Sequence, residues 1–150
     1  MNNMHLLLVD DEEQFLSTTK KLLEKRGVDT VTCTNGFDAL DILSKRRVDV
    51  VVLDIKMPGI DGLDVLSKIK RDHPQVEVIL LTGHASVESA VEGLKLGAFD
   101  YLTKPARVSE IMAKVEEAFD RKLAKEEKSR KARIDNIIRH PMAIYEKEED

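Results

Sequence analysis

The stretch that most constrains this chain is Val48-Asp49-Val50-Val51-Val52-Leu53-Asp54. Apart from Asp49, the residues from Val48 to Leu53 are β-branched or apolar, and the run is too short for a typical helix. It reads as a strand buried on both faces, in the middle of a parallel sheet. Asp54 stands at its carboxyl end. Ile55-Lys56-Met57-Pro58-Gly59 follows, Pro58-Gly59 turns the chain, and Asp61-Gly62-Leu63 opens a helix. Open α/β sheets place their chemistry at this edge. Taken alone, Asp54 reads equally as a polar terminator of the strand.

The rest of the chain repeats that rhythm. Met4 to Val9 is a first strand, and Asp10-Asp11-Glu12-Glu13 suits the start of a helix through capping and the helix dipole. That helix reaches about Arg26, with Phe15, Leu16, Leu22 and Leu23 as its apolar points, and Gly27 ends it. Val28 to Thr34 mixes Asp29, Thr30, Thr32 and Thr34 with Val28, Val31 and Cys33 and reads as a less buried edge strand. After the Asn35-Gly36 turn comes a helix over 37–46, with Phe37, Leu40 and Leu43 or Ile42 expected inward. Asp61 caps a helix to about Asp72, and Val76 to Leu81 is a fourth strand. A helix over 86–96 carries Val87, Ala90, Val91 and Leu94 on one side. Ala98 to Leu102 is a fifth strand. A last helix starts near Arg107, with Ile111, Met112, Val115, Ala118 and Phe119 as its stripe and Leu123-Ala124 closing it. Five strand–helix units with connections of this length imply parallel strands with helices on both faces.

Composition narrows the function. Aromatic residues make up 4% of the chain and there is no Trp, which disfavours a base- or sugar-stacking platform. The net charge of −4 argues against broad nucleic-acid binding. Cys33 is the only cysteine, so an intrachain disulfide and a redox CxxC are excluded. Neither a signal-peptide pattern nor an apolar stretch long enough to cross a bilayer is found, and a cytoplasmic protein without membrane insertion is expected.

A parallel sheet aligns the carboxyl ends of its strands, which brings Asp10, Asp11, Asp54, Thr82 and Lys104 to one rim. Clustered carboxylates repel one another and raise a pKa unless a cation intervenes. Oxygen ligands without a His or Cys set favour Mg²⁺. The capping reading of Asp10-Asp11 stands beside this one. Pro105 biases Lys104 toward extended backbone and permits a cis bond. Carboxylate, cation, hydroxyl and lysine together suit a transferring phosphoryl group with Asp54 as nucleophile. No GxxxxGK loop or GxGxxG supports nucleotide binding. His84 is read as a surface polar residue in preference to a general base.

These residues, taken in order, resemble a known pattern: Asp10-Asp11, Asp54 with Met57-Pro58-Gly59-Ile60-Asp61-Gly62, Leu81-Thr82-Gly83-His84, and Tyr101-Leu102-Thr103-Lys104-Pro105. The chain over roughly residues 4–124 resembles the receiver domain of two-component response regulators, and around 81–105 it is similar to the receivers of NtrC-type regulators. The resemblance implies a CheY-like, flavodoxin-like doubly wound sheet of order 2-1-3-4-5. It implies that Asp54 accepts a phosphoryl group from a sensor histidine kinase or phosphotransfer protein. It further implies Mg²⁺ held by Asp11, Asp54 and the Lys56 backbone carbonyl, with Asp10 acting through a metal-bound water. Thr82 and Lys104 would bind phosphoryl oxygens, and Tyr101 would be the aromatic switch. The resemblance also implies that Lys56 and His84 occupy positions that tune self-dephosphorylation in such domains. Ala106 departs from the bulky apolar residue that commonly follows the Lys-Pro pair.

Phosphorylation is then expected to switch the surface over 84–104 for a protein partner or output domain. The receiver is expected over 1–124, with 125–150 a charged helical extension or linker ending in an acidic tail. Residues 120–133 hold seven Lys or Arg and three acids, without aromatics or a recognisable helix-turn-helix. Ile134, Ile137 and Ile138 share a helical face and would either fold back on the domain or meet a second subunit as a homodimer. Pro141 stops that helix. The rival reading is a Mg²⁺-dependent phosphohydrolase with an aspartyl-phosphate intermediate. That class wants a general acid close after the nucleophile, and the position two residues after Asp54 is Lys56.

Overall fold

A computed structural model describes residues 4–83 and 87–141. Five strands, β1 (His5–Val9), β2 (Asp29–Cys33), β3 (Val50–Asp54), β4 (Glu77–Thr82) and β5 (Asp100–Thr103), alternate with five helices. These are α1 (Glu13–Lys25), α2 (Gly36–Lys45), α3 (Gly62–Asp72), α4 (Val87–Lys95) and α5 (Val108–Arg139). The strands form one sheet in the order β2-β1-β3-β4-β5, every pair parallel, as the alternation requires. β3 is central and all five of its residues are buried.

Strand pleating divides the core. Leu7, Val9, Val51, Leu53, Val78 and Leu80 face α2, α3 and α4, while Leu6, Leu8, Val50, Val52, Ile79 and Leu81 face α1 and α5. Each face is closed by apolar helix residues, such as Val65, Leu66 and Ile69 on one side and Ile111, Val115 and Phe119 on the other. Burying side chains of this size contributes about 1.5–3 kcal/mol each before conformational entropy is counted.

Local chemistry sets the helix ends. Gly27 leaves α1 at φ +85°, a left-handed conformation that side chains resist. Asn35 caps α2 by accepting from the Asp38 N–H at 2.9 Å, and Asp61 caps α3 by accepting from the Leu63 N–H at 2.9 Å.

Several side chains depart from the expected faces. Phe37 is 63% exposed, not inward. The Asn35 cap starts α2 at Gly36, and a Cβ there would meet Ile60 and Val65 side chains, so Gly36, Ala39 and Leu43 form the buried stripe and Phe37 is turned off it. In α4 only the small Ala90 and Gly93 are buried, because the Leu80 side chain occupies the space a Cβ on Gly93 would need. Val87, Val91 and Leu94 consequently stay exposed. Leu22 is exposed on α1. Leu123 is exposed as well, and Lys122 takes the buried place at the end of the α5 stripe.

Lys122 is buried because a carboxylate waits for it at the amino-terminal rim of the sheet. Its Nζ lies 2.9 Å from Asp49 Oδ1 and 2.6 Å from Glu126 Oε1. Asp49 Oδ2 also accepts from the His5 N–H at 2.8 Å. Beside it, buried Glu77 has Lys70, Arg121 and Lys125 ammonium or guanidinium nitrogens at 3.5–3.6 Å. α5 runs unbroken past these contacts to Arg139, leaving Ile134, Ile137 and Ile138 exposed on its distal part. The acidic tail, from Glu146 on, lies outside the described residues.

Candidate functional site

The opposite rim, at the carboxyl ends of the strands, gathers the polar residues. β1 delivers Asp10, which is fully buried, and exposed Asp11; β3 delivers Asp54, 5% exposed. Carboxylate oxygens of these three residues lie within 4.8 Å of one another, a grouping able to hold a metal ion. β4 ends in buried Thr82, whose hydroxyl donates to the Gly83 carbonyl at 3.1 Å. β5 hands the chain to Lys104, whose backbone N–H donates to the Thr82 carbonyl at 2.7 Å, and the Lys104–Pro105 bond is cis.

Lys104 ties the rim together. Its Nζ lies 2.7 Å from Asp10 Oδ2 and 3.3 Å from Asp54 Oδ2. The other oxygens have local donors: Asp10 Oδ1 accepts from the Glu12 N–H at 2.9 Å, and Asp54 Oδ1 from the Lys56 N–H at 3.1 Å. Glu12 Oε1 stands 3.5 Å from the ammonium and the Phe15 ring centroid 5.6 Å from it.

Burial and crowding decide the protonation equilibria. Loss of solvent pushes the Asp54 carboxyl up to about 6, the nearby Asp10 charge adds to the rise, and Lys104 opposes it. Asp10 is raised chiefly by burial, against Lys104 and the Glu12 N–H. Burial pulls the Lys104 ammonium down, but Asp10 and Asp54 together hold it above its ordinary value. The site is therefore short of positive charge, and its donors are hard oxygens, the set that suits a divalent cation such as Mg²⁺.

Every residue expected at this rim and lying among those described is there. Tyr101 sits on β5, half-buried against the α2–α4 face of the core. His84 lies outside the described residues. Two neighbours of Lys104, Glu12 and Phe15, were not expected at the site. Their signal in sequence is position, in the α1 entry directly after Asp11.

A family model described as the response regulator receiver domain matches residues 6–116. The chain belongs to that family. Among relatives of this receiver, the DNA-binding transcriptional regulator NtrC of Escherichia coli K12 is 40% identical over 111 residues, covering 74% of this chain and 24% of that protein. A putative NtrX-like response regulator of Rickettsia conorii is 41% identical over 107 residues, covering 70% and 23%. This receiver thus spans about a quarter of the length of those relatives. Its backbone is similar to a response regulator receiver domain from Clostridium thermocellum, with a TM-score of 0.77 at 36% identity over 81% of this chain and 98% of that one. The receiver domain of NtrX from Brucella abortus gives a TM-score of 0.73 at 32% identity, covering 77% and 98%. Among the described residues, no helix of this receiver is long and apolar enough to cross a membrane.

Proposed function

We propose that this receiver accepts a phosphoryl group on Asp54 from a histidine of a sensor kinase or phosphotransfer protein, in the cytoplasm. The observation that carries this reading is the bridge of Lys104 Nζ between Asp10 and Asp54, with three carboxylates converging at one rim. In the transfer, the donor's P–N bond breaks as a P–O bond forms to an Asp54 oxygen. Asp54 must be ionised to attack, and Lys104 and the backbone N–H of Lys56 favour that form. Asp11, Asp54 and the Lys56 carbonyl would hold Mg²⁺, with Asp10 acting through a metal-bound water; bound there, the ion would neutralise charge on the phosphoryl oxygens. Lys104 and the Thr82 hydroxyl supply the remaining contacts to those oxygens.

The added charge then draws Thr82 and Lys104, which terminate β4 and precede α5. The surface over 84–104, with exposed Val87, Val91 and Leu94 and half-buried Tyr101, responds as a two-state element that meets a protein partner or output domain. A full reversal from 1:99 to 99:1 needs about 5.5 kcal/mol of differential stabilisation. Residues 125–139 continue α5 as a charged extension beyond the receiver, whose unit we place at residues 1–124.

Intact mass after incubation with acetyl phosphate and Mg²⁺ tests the reading. One added phosphoryl on the wild-type chain and none on Asp54→Asn is the expected result. Uptake by both, or by neither, refutes it. Continuous phosphate release from phosphate esters would indicate the hydrolase instead.

A further inference from the structure

We propose that Phe15 is a positioning residue for Lys104: its ring holds the lysine ammonium at the rim, between Asp10 and Asp54, where phosphoryl transfer uses it. The proposal rests on the reading of Asp54 as the phosphoryl acceptor and adds a residue to that site.

Phe15 stands on α1 four residues after Asp11, within the first turn of the helix. Helical side chains lean toward the amino terminus of their helix, which aims this ring back at the rim. Lys104 Nζ lies over it at 5.6 Å from the centroid, inside the range of an effective cation–π contact. The ring is half-buried, packed against the α1–α5 core. With Glu12, Lys104, Pro105 and Ala106 it lines an open cleft of about 340 Å³. Ala106 lines the same cleft with a methyl group, and the ring beside the lysine is that of Phe15 on α1.

An aromatic face suits this task better than another anion. Its attraction for the ammonium is broad and leaves the three N–H donors free for oxygens. Lys104 must keep Asp10 while turning from the Asp54 carboxylate toward the oxygens of a phosphoryl group carried by that side chain. A carboxylate in Phe15's place would compete with those oxygens for donors. Glu12, at 3.5 Å and two-thirds exposed, is a weaker and solvent-screened anchor.

The test compares wild type, Phe15→Met and Phe15→Trp. Methionine keeps apolar bulk without the ring, and tryptophan keeps the ring. Two quantities are read: the ring-current shift of the Lys104 ε-methylene protons by NMR, and the rate of phosphoryl uptake from acetyl phosphate with Mg²⁺ by intact mass. The donor's P–O bond breaks in that reaction and acetate leaves. The expected result is an upfield-shifted methylene in wild type and Phe15→Trp, lost in Phe15→Met. Uptake should slow about two- to fivefold in Phe15→Met and recover in Phe15→Trp. A wild-type chain that takes up no phosphoryl overturns the acceptor reading and this role with it. A phosphorylated wild type with Phe15→Met equally fast, or with both variants equally slow, overturns the positioning role alone.

Discussion

Lys122 Nζ lies 2.9 Å from Asp49 Oδ1, and both side chains are buried at the amino-terminal rim, on the far side of the sheet from Asp54. The pair joins the last helix to the start of the central strand. Burial opposes the charge on both groups, yet Lys122 and the His5 N–H hold Asp49 below the usual carboxylate range, while Glu126 and Asp49 hold Lys122 above its own. Removing Lys122 leaves the buried Asp49 charge with only the His5 N–H and the exposed Arg47 guanidinium at 3.6 Å, so Lys122→Met should cost about 3 kcal/mol. Combining it with Asp49→Asn, which still accepts from the His5 N–H, should cost less than the sum of the two single changes. A depressed carboxylate stabilises above its unfolded pKa and loses that contribution as pH falls through the folded value. The cost of Lys122→Met in urea unfolding should therefore shrink below about pH 4. Strictly additive costs would show that the pair contributes nothing.

Asp54 behaves in the opposite sense. Its folded value near 6 lies above the ordinary 3.8, so ionising it opposes folding at neutral pH. The penalty approaches about 3 kcal/mol above pH 6 and disappears as pH falls toward 4. Without divalent metal, Asp54→Asn should be more stable than wild type at pH 7, with the gap closing through pH 6. Urea unfolding of both chains in EDTA between pH 4 and 8 measures it. A variant less stable than wild type at pH 7 would contradict the account.

Magnesium should reverse that penalty. A ligand that binds only the folded chain stabilises it by about 2.7 kcal/mol at one hundred times its Kd. Titration calorimetry should show weaker Mg²⁺ binding by Asp11→Asn than by Glu12→Gln, because Asp11 belongs to the carboxylate group and Glu12 only borders it. Equal affinities in the two variants would remove Asp11 from the ligand set.

Gly62 is required by close approach. A Cβ there would lie 2.6 Å from the Ile55 Cα and carbonyl oxygen and 2.8 Å from the Asp54 carbonyl oxygen. Those are backbone atoms of the loop that carries the acceptor, and they cannot rotate away. Gly62→Ala should cost about 1–3 kcal/mol and slow phosphoryl uptake by shifting Asp54. Thermal unfolding and intact mass check both effects, and a variant matching wild type in both would show that the loop adapts.

The proposed switch has its own observable. Beryllofluoride with Mg²⁺ should move amide resonances of Thr82, Val87 to Lys95 and Tyr101 in wild type and leave them in place in Asp54→Asn. Changes confined to residues 54–62 would argue against a response of the α4–β5 surface.

Local chemistry wrote much of this fold into the chain. The apolar run before Asp54 is too short for a typical helix and reads as a doubly covered strand, and the alternation of strands with helices implies a parallel sheet. That sheet necessarily brings Asp10, Asp11, Asp54, Thr82 and Lys104 to one rim, which is why the site was legible from residues far apart in sequence. Tertiary structure decided what depends on distant partners. Lys122 reads as surface until Asp49 appears beside it, and Leu123 reads as core until the helix phase turns it outward. Phe37 faces solvent because Asn35 sets where its helix begins and Ile60 and Val65 claim the space at Gly36. Phe15 reaches Lys104 only because α1 and the β5–α5 loop meet at the same rim. Hydrophobic period and turn chemistry act over a few residues and so can be read in order, whereas charge pairing and ring contacts are settled by groups the chain supplies some seventy or ninety residues away, and the phase of α2 by side chains about 25 residues on.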